Sequence, residues 1–96
     1  MDGAVRVVPP TEIDYATAGD LAQQISQAFA SGARTVAVDF AAVAFCDSSG
    51  LRVLINATKL ARAAGGTFRV DNPTRSLLRL ADILQASDLL DLPRPP

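Results

Sequence analysis

The feature that most constrains this chain is the passage from a strand into a helix between Thr35 and Ala64. Residues 35–40 form a short apolar run with three β-branched residues and an aromatic, a composition that favours a buried strand. From Leu51 to Ala64 there is no proline or glycine, and apolar residues recur at helical spacing. A loop over residues 41–46 joins the two. This order predicts one strand–helix unit of a layered α/β domain.

The same alternation continues on both sides of this unit. Short apolar runs predict further strands, and amphipathic stretches that end at glycine predict further helices. Asn72 is expected to cap the third helix, with Pro73 at its first position. The four phenylalanines are expected in the core: Phe29, Phe40, Phe45 and Phe68. The other predicted elements are strands at 5–8, 67–70 and 90–92 and a helix at 18–30.

Strands and helices that alternate in this way predict an α/β fold with a single-layer mixed β-sheet of about four strands. A chain of 96 residues is long enough for one core and too short for two. We therefore expect one domain over residues 1–96, with its core at about 5–92 and a tail at 93–96.

The composition argues against several classes of activity. Nine basic and ten acidic residues give a formal net charge of −1, without the basic stripe that nucleic-acid-binding domains carry. With no histidine and one cysteine, the chain contains no Ser-His-Asp triad, no Cys-His pair and no ordinary zinc site. It also lacks a Walker-type phosphate loop. We expect neither enzyme activity nor a bound cofactor or metal.

The sequence also bears on where the protein resides. Its apolar runs are too short for a transmembrane helix, and residues 1–6 lack the basic and apolar regions of a signal peptide. The lone Cys46 excludes an internal disulfide and suits a reducing compartment. These features predict a cytoplasmic protein without direct membrane insertion, and a monomer is the simplest expectation.

The polar segment Asp47-Ser48-Ser49-Gly50 at the predicted helix start has two interpretations. In the first it only caps the helix, which typically contributes about 1 kcal/mol, and Gly50 relieves crowding. In the second it is a switch, because a phosphate on a serine here would meet unpaired amides and the positive end of the helix dipole. Arg52, about one turn beyond Ser49, would then partly neutralise the phosphate.

The order and spacing of several segments resemble the STAS domain of bacterial anti-sigma factor antagonists. The Asp-Ser-Ser-Gly segment lies between a matching strand and a matching helix. Glu12-Ile13-Asp14 resembles the family's Gly-Glu-Leu-Asp segment, and Asn72-Pro73 resembles its late loop. The resemblance covers residues 5–92, and the other segments that carry it are 36–40, 45–51 and 64–68.

This resemblance implies a phosphorylation switch at Ser49, with Ser48 as the less favoured acceptor. The family's kinase is its own anti-sigma factor, an ATP-dependent serine kinase related to histidine kinases. The unphosphorylated antagonist binds that factor and frees the sigma subunit, phosphorylation releases it, and a phosphatase resets the switch. The residues implied to flank the site or contact the partner are Asp14, Asp47, Ser48, Gly50, Leu51 and Arg52.

Three departures from the family pattern bear on this interpretation. Pro9-Pro10-Thr11 replaces the usual residues before Glu12, including a glycine. The family usually has a further strand before the one that matches residues 5–8, and we expect the N-terminus here to be short for it. The position after Leu51, often glycine in relatives, is Arg52, which we expect to tune partner choice or tolerance of the phosphate. The alternative function is that of a STAS-like accessory subunit of a membrane lipid ABC transporter, in which Ser49 is dispensable.

Overall fold

Strands and helices alternate through residues 4–95, the part of the chain that the computed structural model describes. In chain order the elements are β1 (Ala4–Val7), β2 (Glu12–Ile13), α1 (Ala18–Ala30), β3 (Thr35–Asp39), β4 (Phe45–Cys46), α2 (Ser48–Ala63), β5 (Thr67–Asp71) and α3 (Arg75–Ile83). The expected α/β class is confirmed, and so is the first helix at 18–30. Residues 1–3 and Pro96 lie outside the described residues. The expectations about the domain limits, the lack of a signal peptide and the C-terminal tail fall partly on these residues.

Within the described residues, the strands form two separate parallel groups. A three-stranded sheet has the order β1-β3-β5, with Val36 of β3 paired with Val5 on one side and Phe68 on the other. The second group is the two-residue pair β2-β4. The expected alternation of strands and helices is confirmed, while within residues 4–95 the strands pair only in parallel and in two groups rather than in one mixed sheet of about four strands. Each connection within the larger sheet contains a helix that returns the chain to the starting end, so the next strand runs parallel.

The central strand β3 forms the middle of the hydrophobic core. Val36 and Val38 are fully buried, and Phe40, which follows the strand, is buried as well. Strands that are covered in this way have continuous apolar sequences rather than alternating ones. The helices contribute the remaining large core side chains, among them Leu21, Ile25, Leu51, Leu54 and Leu77. Within the described residues, no helix is both long and apolar enough to cross a membrane.

Phe45 does not lie in the core, contrary to the expectation. It is 51% exposed, whereas Phe29 and Phe68 are partly buried and pack against the core. Neighbouring side chains of a strand point to opposite faces. Since Cys46 packs against the core, Phe45 is directed away from it.

The third helix begins later than expected. Its N-cap is Thr74, whose Oγ1 accepts a hydrogen bond from the Leu77 amide at 3.1 Å. Asn72 instead adopts a left-handed conformation with φ of 52°, and its Nδ2 donates to Asp39 Oδ1 at 2.9 Å. The assignment of Asn72 as cap and Pro73 as first helical residue was wrong, because Asn72 bonds to the end of β3 rather than to α3.

The expected edge strand at residues 90–92 was also wrong. The Leu90 amide donates to the Ala86 carbonyl at 3.1 Å, and the Leu92 amide donates to Ser87 at 2.9 Å. These short-range bonds wind the segment into turns. Leu90 and Leu92 are both buried, so their apolar side chains serve the core without pairing to a sheet.

A cluster of polar side chains joins the carboxyl ends of the larger sheet. The Asp39 carboxylate accepts from Arg6 Nη2 at 2.7 Å, from Asn72 Nδ2 at 2.9 Å and from the Ala41 amide at 2.9 Å. The hydrogen bond from Asn72 is the largest cause of a pKa of Asp39 below its ordinary value of 3.8, and the Ala41 amide is the next. Hydrogen bonds to the charged form lower the pKa of a carboxyl group in this way.

We predict that Asp39 contributes stability at neutral pH that is lost in acid. Because its pKa is lower in the folded state, the contribution is complete above the ordinary carboxyl range and disappears as pH falls through the folded-state pKa. Asn72→Gly, which keeps the left-handed backbone but removes the amide, should raise the pKa of Asp39 in a carbon-detected NMR titration. Arg6→Ala should also raise it, because Arg6 both donates a hydrogen bond to the Asp39 carboxylate and attracts its charge; an unchanged pKa of Asp39 in Asn72→Gly would contradict the assigned main cause.

Candidate functional site

Helix α2 begins at Ser48, three residues before the expected start at Leu51. Asp47 is its N-cap: Oδ1 accepts from the amides of Ser49 at 2.8 Å and Gly50 at 3.4 Å. The Asp47 carbonyl accepts from the Leu51 amide at 3.2 Å. Both serines therefore lie within the first helical turn, because the Asp47 carboxylate supplies the acceptor that these amides lack within the helix.

The backbone of Asp47 also connects α2 to the small strand pair. Its amide donates to the Ile13 carbonyl at 3.0 Å, directly after the pairing of Ile13 with Cys46. The pair β2-β4 thus joins residues 12–13, for which the sequence predicted no strand, to the end of the loop expected at 41–46. Two-residue strands have too little pattern to be identified from sequence, although the fully buried Ile13 is the apolar residue of its segment.

Gly50 lies where α2 comes closest to this strand pair. A Cβ atom at Gly50 would lie 2.5 Å from Cys46 Sγ and 2.6 Å from Ile13 Cγ2. Such distances are far inside van der Waals contact, so no other residue fits without movement of the helix or the strands. Gly50 is required for this close approach. The capping interpretation expected only that Gly50 relieves crowding at the helix start.

The structure brings most of the predicted site residues to one edge of the molecule. Ser48 is exposed and Ser49 is half-buried in the first turn of α2, while Arg52 is exposed one turn further on. Among residues 4–95, neither serine hydroxyl has a hydrogen-bond partner. Leu51 is only 1% exposed and belongs to the core, so it positions the helix and offers a partner almost no surface.

Asp14 reaches this edge through its neighbour Ile13, but its carboxylate is already engaged. Asp14 Oδ1 accepts from the amides of Ala16 at 2.9 Å and Thr17 at 3.1 Å, which closes the turn before α1. Thr17 is the N-cap of α1 by position and makes no side-chain cap bond. Asp14 therefore organises the β2-α1 turn beside the Asp47 segment.

The electrostatic surroundings of the two serines differ from the expectation in one respect. The amides of Ser49 and Gly50 are not free for a phosphate, because Asp47 already accepts from both. A phosphate on Ser49 would gain from the helix dipole but would face the Asp47 carboxylate. Arg52 forms no ion pair with any described residue, so its guanidinium is available to a nearby anion.

Cys46 lies under the first turn of α2 and is chemically quiet. Its Sγ donates to the Asp47 carbonyl at 3.5 Å. Burial, followed by the nearby Asp47 charge, raises the pKa of the thiol to about 11. At neutral pH the group is an uncharged thiol, which is a poor nucleophile. Within the described part of the chain, no group of three or more potential metal-ligating residues lies together.

The fold and this edge together define a class of protein: a small α/β module with two unpaired serine hydroxyls at the start of its second helix. A family model described as "Mlab, STAS domain" matches residues 2–91, which is nearly the whole chain. The protein belongs to the STAS domain family, as the sequence resemblance indicated.

Individual relatives agree with this assignment. The chain is 34% identical to the anti-sigma-B factor antagonist of Bacillus subtilis (strain 168) over 50 residues, which is 52% of this chain and 46% of that protein. The matched segment thus spans about half the length of that relative. The structure is similar to the Bacillus anti-sigma factor antagonist SpoIIAA, with 21% identity to both of its forms. The unphosphorylated form has a TM-score of 0.76 and the phosphorylated form 0.72. Both matches cover 93% of this chain, and they cover 78% and 81% of the respective SpoIIAA chains.

Replacing Gly50 tests the close approach of α2 to the strand pair. Gly50→Ala should lower the free energy of unfolding by about 1–3 kcal/mol, because the added methyl overpacks a filled contact. Gly19→Ala in α1 is the matched control, since nothing lies within 4 Å of its Cβ position. That variant should raise stability by about 0.5–1 kcal/mol. Urea unfolding of both variants measures the difference, and equal effects would contradict the packing argument.

The raised pKa of Cys46 predicts slow alkylation. In the folded protein, iodoacetamide should modify Cys46 far more slowly than it modifies a free thiol at mildly alkaline pH, because little thiolate is present. The same reaction in denaturant should proceed at the ordinary rate. Stability from this group should be complete below the unfolded-state pKa of the thiol and decrease as pH rises towards about 11. Rapid modification of the native protein, followed by mass spectrometry, would contradict the assignment.

Proposed function

We propose that this protein is an anti-sigma factor antagonist whose partner binding is switched by phosphorylation of Ser49. In the unphosphorylated form it binds an anti-sigma factor that is also a serine kinase, and the sigma factor is released. Phosphorylation of Ser49 abolishes this binding, and a phosphatase restores it. The proposal rests on family membership and on the unpaired hydroxyl of Ser49 in the first turn of α2.

The choice of Ser49 over Ser48 is supported by its place in the helix. Ser49 follows the cap residue by two positions, and its amide donates a hydrogen bond to the Asp47 carboxylate at 2.8 Å. A phosphoserine adds about two negative charges at neutral pH. At Ser49 these charges would stand beside Asp47 on a protein whose formal net charge is −1. A partner that docks over this edge would meet charge repulsion and the cost of desolvating the phosphate.

The proposal also covers the organisation and location of the protein and the residues around the switch. The protein acts as one domain over residues 1–96, as a monomer in the cytoplasm, without enzyme activity, cofactor, nucleic acid or membrane insertion. Asp14, Asp47, Ser48, Gly50 and Arg52 surround the switch, and Leu51 supports it from the core. Arg52 adjusts the tolerance of the phosphate, since it lies about one helical turn from Ser49 and forms no ion pair with a described residue.

A binding experiment with four baits tests the switch. Wild type, Ser49→Ala, Ser49→Asp and Ser48→Asp are used to capture proteins from native lysate, and recovered wild-type bait is analysed for phosphate. Wild type and Ser49→Ala should retain a kinase-like anti-sigma factor, and Ser49→Asp should lose it. Ser48→Asp is the matched control, because it adds the same charge one residue away and should weaken capture less.

The result distinguishes the alternatives once circular dichroism has shown that all baits are folded. Loss of the partner with Ser48→Asp but not with Ser49→Asp would move the switch to Ser48. Equal capture of transporter subunits by all four baits would contradict the proposal and favour an accessory subunit of a membrane transporter. In that case the serines would serve only the helix start.

A further inference from the structure

An apolar groove lies between α1 and α2. Its volume is about 100 Å³, with Ile25 and Ala57 among the residues that line it. Both are buried, whereas Leu60, which lines the groove on the α2 side, is 43% exposed. A dry cavity of about 150 Å³ accepts a benzene ring. The groove is therefore of the size that one branched aliphatic side chain fills.

Ser49 lies on the same stripe of α2 as the groove. Ser49, Val53, Asn56 and Leu60 follow one another at intervals of four, three and four residues, which places them on one face of a helix. The last three of these line the groove. The serine thus lies at the N-terminal end of the stripe, one turn before the groove begins.

Helix α2 carries positive charge only. Its sixteen residues contain Arg52, Lys59 and Arg62 and no acidic residue. All three are exposed, and none forms an ion pair with a described residue. Arg52 and Lys59 are about two helical turns apart on one side of the helix, next to Asn56 on the stripe. The groove is consequently bordered along α2 by cations, in a chain whose formal net charge is −1.

We propose that this groove seats an acidic amphipathic helix of the partner, with one bulky aliphatic side chain inserted between α1 and α2. This inference rests on the function proposed above and names the chemistry of the docking segment. Carboxylates of the incoming helix would face Arg52 and Lys59, while its apolar stripe covers Val53 and Leu60. Helix-in-groove docking of this kind uses apolar anchors at helical spacing.

The charge distribution also argues against a second copy of this chain as the occupant. A two-fold pairing would place the cations of one α2 against those of the other, and Asp20 is the only charged residue of α1. Like charges brought together at an interface oppose association. An acidic segment of another protein meets no such repulsion.

This arrangement supplies a physical reason for the switch. A phosphate on Ser49 would place about two negative charges at the end of the stripe. An acidic helix that enters the groove would then be repelled at its edge. Arg52 would also be drawn towards the phosphate and become less available to the partner.

Titration with designed peptides tests the groove directly. The probe is a synthetic amphipathic helix of about 16 residues with leucines on one stripe and glutamates beside it. A second peptide carries lysines in place of the glutamates. Nuclear magnetic resonance of isotope-labelled protein should show amide shifts at Ser26, Val53, Asn56 and Leu60 with the acidic peptide, and much smaller shifts with the basic one.

Charge-reversal variants measure the contribution of the cations. Arg52→Glu combined with Lys59→Glu should raise the dissociation constant of the acidic peptide about tenfold, because each exposed ion pair contributes modestly and the reversed charges repel the glutamates. Arg75→Glu combined with Arg79→Glu on α3, where both residues are exposed, is the matched control with the same change of charge and should change it little. Ser49→Asp should weaken the acidic peptide and not the basic one.

Several outcomes would overturn the inference. These are shifts that map outside the groove, equal affinity for both peptides, groove shifts that appear on concentrating the protein alone, and binding of anionic vesicles but not of the acidic peptide. The peptide titration involves no kinase or sigma factor, so it is independent of the bait experiment. Peptide binding with no effect of Ser49→Asp on partner capture would refute the proposed switch and leave the groove intact.

Discussion

The structure of the edge that carries Ser48 and Ser49 depends on the absence of a side chain at Gly50. The first turn of α2 lies so close to Cys46 and Ile13 that even a Cβ atom would approach them to within about 2.6 Å. This contact sets the distance between the helix and the β2-β4 pair. The Asp47 amide can then reach the Ile13 carbonyl while its carboxylate caps α2.

The consequence is a helix start that is tied to its surroundings on the inner side and open on the outer side. Gly50 and Leu51 are buried, whereas Ser48 is exposed and Ser49 half-buried. A modification or a partner can thus be accommodated at the serines without disturbing the core. Because the close packing at Gly50 resists displacement, a charge added at Ser49 would change the surface of the protein and leave its interior unchanged.

Charge is distributed unevenly over this surface, and that distribution bears on function more than the net charge does. Asp47 lies at the N-terminus of α2, and only cations follow along that helix. A count of charges over the whole sequence, nine basic and ten acidic residues, does not reveal the basic face of α2. In the folded helix, Arg52 and Lys59 lie beside the apolar groove between α1 and α2. A chain with almost no net charge thereby presents a local positive surface, which favours an acidic partner.

The sequence by itself determined the elements whose signals are local. Helical periodicity with a glycine stop identified α1 at 18–30, an apolar β-branched run identified β3, and the Asp-Ser-Ser-Gly segment indicated the start of α2 to within three residues. Tertiary structure alone decided the pairing of β2 with β4, the exposure of Phe45 and the left-handed Asn72 bonded to Asp39. Propensity and periodicity are properties of neighbouring residues, so they predict helices and long strands. A two-residue strand or a side chain's environment depends on which distant segments meet, and the close packing around β3 and Gly50 determines that.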